Sequence, residues 1–298
     1  MKLLQGKISL VTGGSRGIAR ATALAPAAEG ADVAVNCAHS LEAAEEVCSL
    51  IRQSGARAVA YKADIAMEDE AHTMVEKIQK DLGPVSILVN NAGITRDKSF
   101  VKMTKNMWDE VLGVNLNGPF NVTHAALPAM LNLGWGRIIN VASIVGQTGN
   151  FGQANYGAAK TGMYGLMNVA KIEGEKYNIL VNLISPGAAT RMTNNLGGAQ
   201  GQDADERQIV MGPEHVAPAV TYLASPQCQE SGVCIDAAGG HYGRVAIVRN
   251  AGVNYDPHEH RDADWFEDQW SKITDLTGAT APWSFRETRE QHYAAKKA

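Results

Sequence analysis

The 298-residue sequence predicts an α/β fold, a doubly wound parallel sheet with helices on both faces, followed by a C-terminal extension. Three observations carry this. Short β-branched runs alternate with longer segments rich in alanine and charge. The strand candidates are almost continuously apolar, as strands covered on both faces must be. A glycine-rich turn joins the first strand to the first helix, where open α/β sheets bind their ligands.

Taken in order, KISLVT (7–12) is the first strand, and Gly17 to Glu29 the helix after it. Pro26 falls inside that helix, so a kink or an early end is expected there. ADVAVNC (31–37) and ARAVAYKAD (56–64) are the next strands, with helices from Leu41 to Ser54 and from Glu68 to Leu82. VSILVNNAG (85–93) leads into a mostly helical stretch from Thr104 to Leu133. GRIINVAS (136–143), a helix from Ala154 to Tyr177 and ILVNLIS (179–185) complete the alternation. No repeat or linker interrupts it up to about residue 240, so residues 1–240 read as one domain and 241–298 as the extension. The extension holds three of the five tryptophans. Trp265, Trp270, Ile273 and Leu276 fit one stripe of a short amphipathic helix beginning near Asp264. Such a tail packs on the domain or a neighbouring subunit, or walls a substrate pocket.

Composition narrows the function. With 45% hydrophobic and 19% charged residues and a formal net charge of −4, there is no basic excess to attract nucleic acid. No apolar run approaches the roughly 20 residues of a membrane span, and MKLLQGKISLVTGG turns polar too soon for a secretory signal. Cys37, Cys48, Cys228 and Cys234 lack Cys-x-x-Cys spacing and read as reduced thiols of a cytoplasmic protein. No metal site is expected. His258-Glu259-His260 is metal-like only superficially, as alternate residues of an acidic loop.

TGGSRGIA (12–19) opens the first helix. Glycines 13, 14 and 17 let the backbone turn tightly against a pyrophosphate at the positive helix end. Ala19 stands where a typical dinucleotide fingerprint has its third glycine, and is small enough for close packing. Thr12, Gly13, Ser15, Arg16, Gly17 and Ile18 are the expected phosphate-end residues. A carboxylate after the second strand would bind the ribose hydroxyls of NAD and repel an added phosphate. The strand instead ends Asn36-Cys37-Ala38-His39-Ser40. Arg16 can pair with a 2′-phosphate, so NADP is favoured, with NAD as the alternative.

At the other end, Tyr156 and Lys160 lie four apart in NYGAAKTGMYGL, on one face of a helix. A phenol, with a reference pKa of about 10, is a poor acid at neutral pH. A nearby ammonium is expected to lower it toward neutrality, so that Tyr156 can give a proton to a carbonyl oxygen or take one in reverse. Ser143, ending the fifth strand, can hold the same oxygen, and Asn115 can order water for a proton path through its side chain. Arg96, Lys98, Lys102 and Lys105 form either a solvated basic face or a steering patch for an anionic substrate.

These residues resemble the short-chain dehydrogenases/reductases across roughly residues 5 to 240. The matching elements are Thr12-Gly13-x-x-x-Gly17, Asp64, Asn90-Asn91-Ala92-Gly93, Asn115, Ser143, Tyr156-x-x-x-Lys160 and Pro186-Gly187 with Thr190. The resemblance implies a Rossmann-type fold and a catalytic tetrad of Asn115, Ser143, Tyr156 and Lys160. It also implies adenine contacts from Asp64 and Ile65, and a cofactor lining from Asn91, Ala92 and Gly93. Lys160 would hold the nicotinamide ribose, and Pro186, Gly187 and Thr190 the nicotinamide end. A homotetramer is implied too, with interfaces from the helices around Asn115 and after Tyr156.

Two stretches, NNAGITRDKSFVKMTKNMWDEVLGVNLNGPFNVT and GWGRIINVASIVGQTGNFGQANYGAAKTG, are similar to acetoacetyl-CoA and β-ketoacyl-ACP reductases. The tail, with WSKITDLTGATAP, is similar to the (3R)-hydroxyacyl-CoA dehydrogenase unit of multifunctional peroxisomal enzymes. Both imply a 3-oxoacyl or 3-hydroxyacyl thioester, with Asp97, Gln147, Phe151 and Gln153 at its acyl end. The glycine-rich stretch from Asn194 to Gly201 is expected to act as a lid. The alternatives are an NAD(P)-dependent dehydrogenase of a steroid, terpene alcohol or sugar, and a non-catalytic dinucleotide-binding protein. The second has no need of all four tetrad residues.

Overall fold

In the computed structural model of the protein, residues 2–189, 209–284 and 286–288 are described. Their strands are β1 (Ile8–Val11), β2 (Asp32–Cys37), β3 (Ala58–Lys62), β4 (Ile87–Asn90), β5 (Gly136–Val141), β6 (Ile179–Gly187), β7 (Cys234–Ala238) and β8 (His241–Val245). They form one sheet in the order β3-β2-β1-β4-β5-β6-β7-β8. β1 through β7 pair in parallel: Leu10 opposes Ala34 on one side and Leu88 on the other, and Leu183 opposes Cys234. The order reverses between β1 and β4, which is where a doubly wound sheet opens a crevice at its strand carboxyl ends.

The helices are α1 (Gly17–Ala28), α2 (Leu41–Gln53), α3 (Glu68–Asp81), α4 (Lys105–Leu112), α5 (Gly118–Leu133), α6 (Val145–Thr148), α7 (Ala154–Gly174), α8 (Ala217–Leu223) and α9 (Ala263–Thr274). α1 runs through Pro26, which lies in its last turn, so the missing N–H removes only one bond of the ladder. Val11, Val33, Val35, Val89, Ile139 and Ile184 from the strands bury against Ala19, Ala23 and Ala27 of α1 and Val220 and Leu223 of α8.

Two features differ from the sequence expectation. The stretch from Thr104 to Leu133 is not one helix. Between α4 and α5 lies a π-type turn, Gly113–Asn117, with Gly118 N–H bonded back to the Gly113 carbonyl. In addition, the sheet continues past the sixth strand. β7 is short, alanine-rich and only partly buried, so it shows neither an apolar run nor clear alternation. Gly239 (φ 55°) and Gly240 (φ 77°) then reverse the chain into β8, a two-residue turn that needs left-handed backbone at both positions.

The chain divides into two compact units, Met1–Arg244 and Val245–Ala298. Within the second, Asp262 caps α9 by accepting a hydrogen bond from Trp265 N–H at 3.0 Å. Trp265 meets Tyr255 edge-on, 5.3 Å between ring centres, and Arg249 and Thr280 exchange two backbone hydrogen bonds. No helix among the described residues is long and apolar enough to cross a membrane.

Candidate active site

Ser143 follows the carboxyl end of β5 and is almost fully buried. α7 begins at Ala154 and presents Tyr156 and Lys160 one turn apart. The Ser143 hydroxyl lies close enough to the Tyr156 phenol to favour its ionised form, and its Oγ accepts from Val145 N–H at 3.2 Å. Lys160, 3% exposed, donates from Nζ to the Val141 carbonyl at 2.7 Å and lies 5.6 Å from the Tyr156 ring centre. Serine, tyrosine and lysine, distant in sequence, therefore meet where β5 ends.

Burial dominates the electrostatics. Desolvation pushes the Tyr156 phenol above its ordinary value; the nearby Ser143 hydroxyl pulls it down, and the Asp97 carboxylate pushes it up again. The expected lowering by Lys160 is corrected here. Its ammonium is turned to the Val141 carbonyl, and the same desolvation lowers Lys160 itself to about 8. A carbonyl oxygen set against the Ser143 and Tyr156 hydroxyls would accept from both, and its rising negative charge would draw the phenolic proton.

Asn115 occupies the π-type turn, fully buried. Its Oδ1 accepts from Ile94 N–H and its Nδ2 donates to the Ile94 carbonyl, both at 2.8 Å. The side chain thus clamps the loop after β4. The expectation of a side-chain water anchor is revised: the amide is used by Ile94, in a turn type that often marks functional sites.

At the other end of the crevice α1 has no side-chain cap and no acidic residue in its first turn. Its first N–H groups therefore lack side-chain partners, which fits a pyrophosphate. A side chain at Gly13 (φ 66°) would bring a Cβ to 3.0 Å from Ala92 Cα, so the backbone must be bare there. Ser15, Arg16, Gly17 and Ile18 line the turn, Asn91 to Gly93 follow β4, and Pro186 and Gly187 end β6. Thr12 and Asn36 do different work from that expected. The Thr12 hydroxyl accepts from Asn91 N–H (3.0 Å) and Ala92 N–H (3.1 Å), while Asn36 Oδ1 accepts from Gly13 N–H (3.3 Å) and its Nδ2 donates to the Ala63 carbonyl (3.0 Å). Their side chains brace the loops from beneath. Asp64 Oδ1 accepts from Ala66 N–H (3.0 Å), and Ile65 is buried beside it. Thr190 and the stretch Asn194 to Gly201 lie outside the described residues.

Comparison with known proteins decides the family. Residues 7–201 match the short chain dehydrogenase family model. The chain is 40% identical to a short-chain type dehydrogenase/reductase of Mycobacterium tuberculosis over 93% of this chain and 96% of that one. It is 43% identical to the acetoacetyl-CoA reductase of Rhizobium meliloti, over 79% of this chain and 98% of the relative. The solved structure of full-length peroxisomal multifunctional enzyme type 2 from Drosophila melanogaster superposes with a TM-score of 0.82 at 34% identity, covering 98% of this chain and 50% of that one. The chain is a short-chain dehydrogenase.

This short-chain dehydrogenase is an oxidoreductase acting between CH–OH and C=O with a nicotinamide dinucleotide. Near Tyr156 it places Gln153, 3% exposed, whose Nε2 donates to both Asp97 oxygens at 3.1 Å. Gln147 Nε2 donates to the Tyr164 hydroxyl (3.1 Å) and Ser185 Oγ (3.0 Å), so both glutamines have their amides engaged inside the protein. Phe151 is exposed. Of the basic residues, Arg96 pairs with Glu110 and Lys105 with Asp109, while Lys98 and Lys102 have no ion pair among the described residues. The sequence reading missed Asn155. It is buried, accepts from Tyr156 N–H at 2.8 Å, and donates to the Arg96 (3.1 Å) and Met107 (3.0 Å) carbonyls, so it fixes the start of the helix that carries Tyr156. An asparagine at a helix start was the available signal.

Proposed function

We propose that the protein is an NADP(H)-dependent reductase of 3-oxoacyl thioesters, with CoA rather than ACP as carrier. The neighbouring Ser143 and Tyr156 hydroxyls at the carboxyl edge carry the reading, because they offer one carbonyl oxygen both a holder and a proton source. The bound dinucleotide supplies or accepts the hydride. Ser143 holds the substrate oxygen, Tyr156 gives it the proton, and Lys160, buried beneath, anchors the nicotinamide ribose. Asn115 keeps the loop after β4 in place. Run in reverse, the same groups oxidise a 3-hydroxyacyl thioester.

NADP is favoured by charge. Arg16 and Lys62 both act electrostatically on Cys37, at the end of β2 where an acid would select NAD. The thioester assignment is supported by the likeness to acetoacetyl-CoA reductase along almost all of that relative. Phe120, Leu133, Val169 and Ile172 leave apolar faces exposed on α5 and α7, which supports a tetramer built on those helices. Four free, buried cysteines are consistent with a cytoplasmic enzyme.

A substrate panel tests the reading: acetoacetyl-CoA, longer 3-oxoacyl-CoAs and bulky ketones, each with NADH and NADPH. The highest kcat/KM is expected for a thioester with NADPH. A bulky neutral ketone outperforming every thioester would overturn the substrate, and a preference for NADH would overturn the cofactor.

A further inference from the structure

Away from the crevice, Glu68 and His72 lie one turn apart on α3 and share a face. His124, on α5, meets them from the neighbouring helix. His124 Nδ1 and His72 Nε2 are 3.2 Å apart, and with a Glu68 carboxylate oxygen all three ligand atoms fall within 4.8 Å of one another. We propose that Glu68, His72 and His124 form a binding site for one divalent transition-metal cation of the zinc class.

The geometry favours a tetrahedral cation. With metal–nitrogen bonds of about 2.0–2.1 Å, two ligands at a tetrahedral angle stand about 3.3 Å apart. The imidazole nitrogens are already at that separation. Two imidazoles and one carboxylate leave a fourth position for water, a donor set that suits zinc, cobalt or nickel rather than magnesium or calcium. The ligands sit on helices, not on a loop. Phe120, one turn before His124, stacks on its ring at 5.7 Å and 19°, which restricts the ring's orientation. Asn121, beside it, donates to the Ile65 carbonyl at 3.0 Å, tying α5 to the segment that leads into α3. Asp69 and Glu70 join Glu68 in the first turn of α3, adding negative charge where a helix start alone would disfavour a cation. A bound ion would cross-link α3 to α5 next to the loop carrying Asp64 and Ile65.

Titration of the full chain with Zn²⁺, and with Co²⁺ followed by visible absorption, tests this. One ion per chain is expected, with the visible bands of four-coordinate cobalt. His72→Ala and His124→Ala should each weaken binding on the order of tenfold or more, and Glu68→Gln less. Saturating Zn²⁺ should raise the melting temperature of the wild type but not of His72→Ala, whose metal-free melting should match the wild type within a few degrees. The double variant His258→Ala/His260→Ala controls for the tail and should bind like the wild type. Unchanged affinity in both His72→Ala and His124→Ala would overturn the site and leave a hydrogen-bonded histidine pair only. Loss of binding in the tail variant alone would overturn it equally.

Discussion

The two ends of the crevice work by opposite means. At the reacting end Ser143 and Lys160 are buried and Tyr156 half-buried, and desolvation moves the proton affinities of Tyr156 and Lys160. At the phosphate end the groups offered are the N–H row of α1 and the exposed cations Arg16 and Lys62. Buried groups act through proton transfer and are insensitive to salt; exposed charges act through attraction that salt screens. On the proposed function, chemistry belongs to the first end and cofactor choice to the second.

The largest expected effect breaks only the reacting end. Tyr156→Phe removes the proposed proton donor with little change in packing, and kcat should fall on the order of 10²–10⁴. Cofactor binding, followed by fluorescence titration, should hardly change. A variant turning over at near wild-type rate would end the comparison, because the phenol would then do no chemistry.

Arg16→Ala probes the other end. NADPH affinity should drop by about 1.5–3 kcal/mol and NADH affinity should stay as it was. The loss should shrink as salt rises, since the charge is exposed. Equal losses for both cofactors would assign Arg16 to loop structure.

Lys160→Met should separate stability from function. A fully buried ammonium whose pKa falls from 10.5 to about 8 makes its charged form a burden on the folded state. At pH 7 the folded and unfolded states both carry the proton, and the folded state bears the desolvation. After allowing for the lost bond to Val141, the variant should be more stable than the wild type at pH 7 by about 1–2 kcal/mol in urea unfolding, and inactive. Between pH 8 and 10.5 the unfolded wild-type lysine holds more protons than the folded one, so wild-type stability gains with pH from this group. The variant's advantage should vanish across that window. An advantage independent of pH would mean that burial of the charge is not its cause.

The smallest effect refines the reacting end. Asp97→Asn removes a carboxylate that holds the Tyr156 phenol up, so the acid limb of the pH profile for alcohol oxidation should move to lower pH. A shift to higher pH would show that Asp97 acts on Tyr156 through position instead of charge.

The sequence by itself determined the alternation of six strands and their helices, the glycine turn and the Tyr156/Lys160 spacing. Each of these is a local pattern, set by period, by backbone freedom or by one helical turn. β7 was not legible, because its alanines and Asp236 acquire strand character only by pairing with Leu183 to Gly187. The π-type turn at Asn115 was not read either: its glycines and asparagines mark weak helix propensity, but the turn type is fixed only by the two hydrogen bonds that Asn115 makes to Ile94. Thr12 and Asn36 sit at the expected places, yet tertiary contacts turned their side chains to backbone groups of neighbouring strands and loops. The direction of the Tyr156 shift also needed the fold. Spacing brings an ammonium one turn away, but desolvation and the direction in which Nζ donates depend on every segment packed around it, and those were decided only when the sheet closed over Lys160.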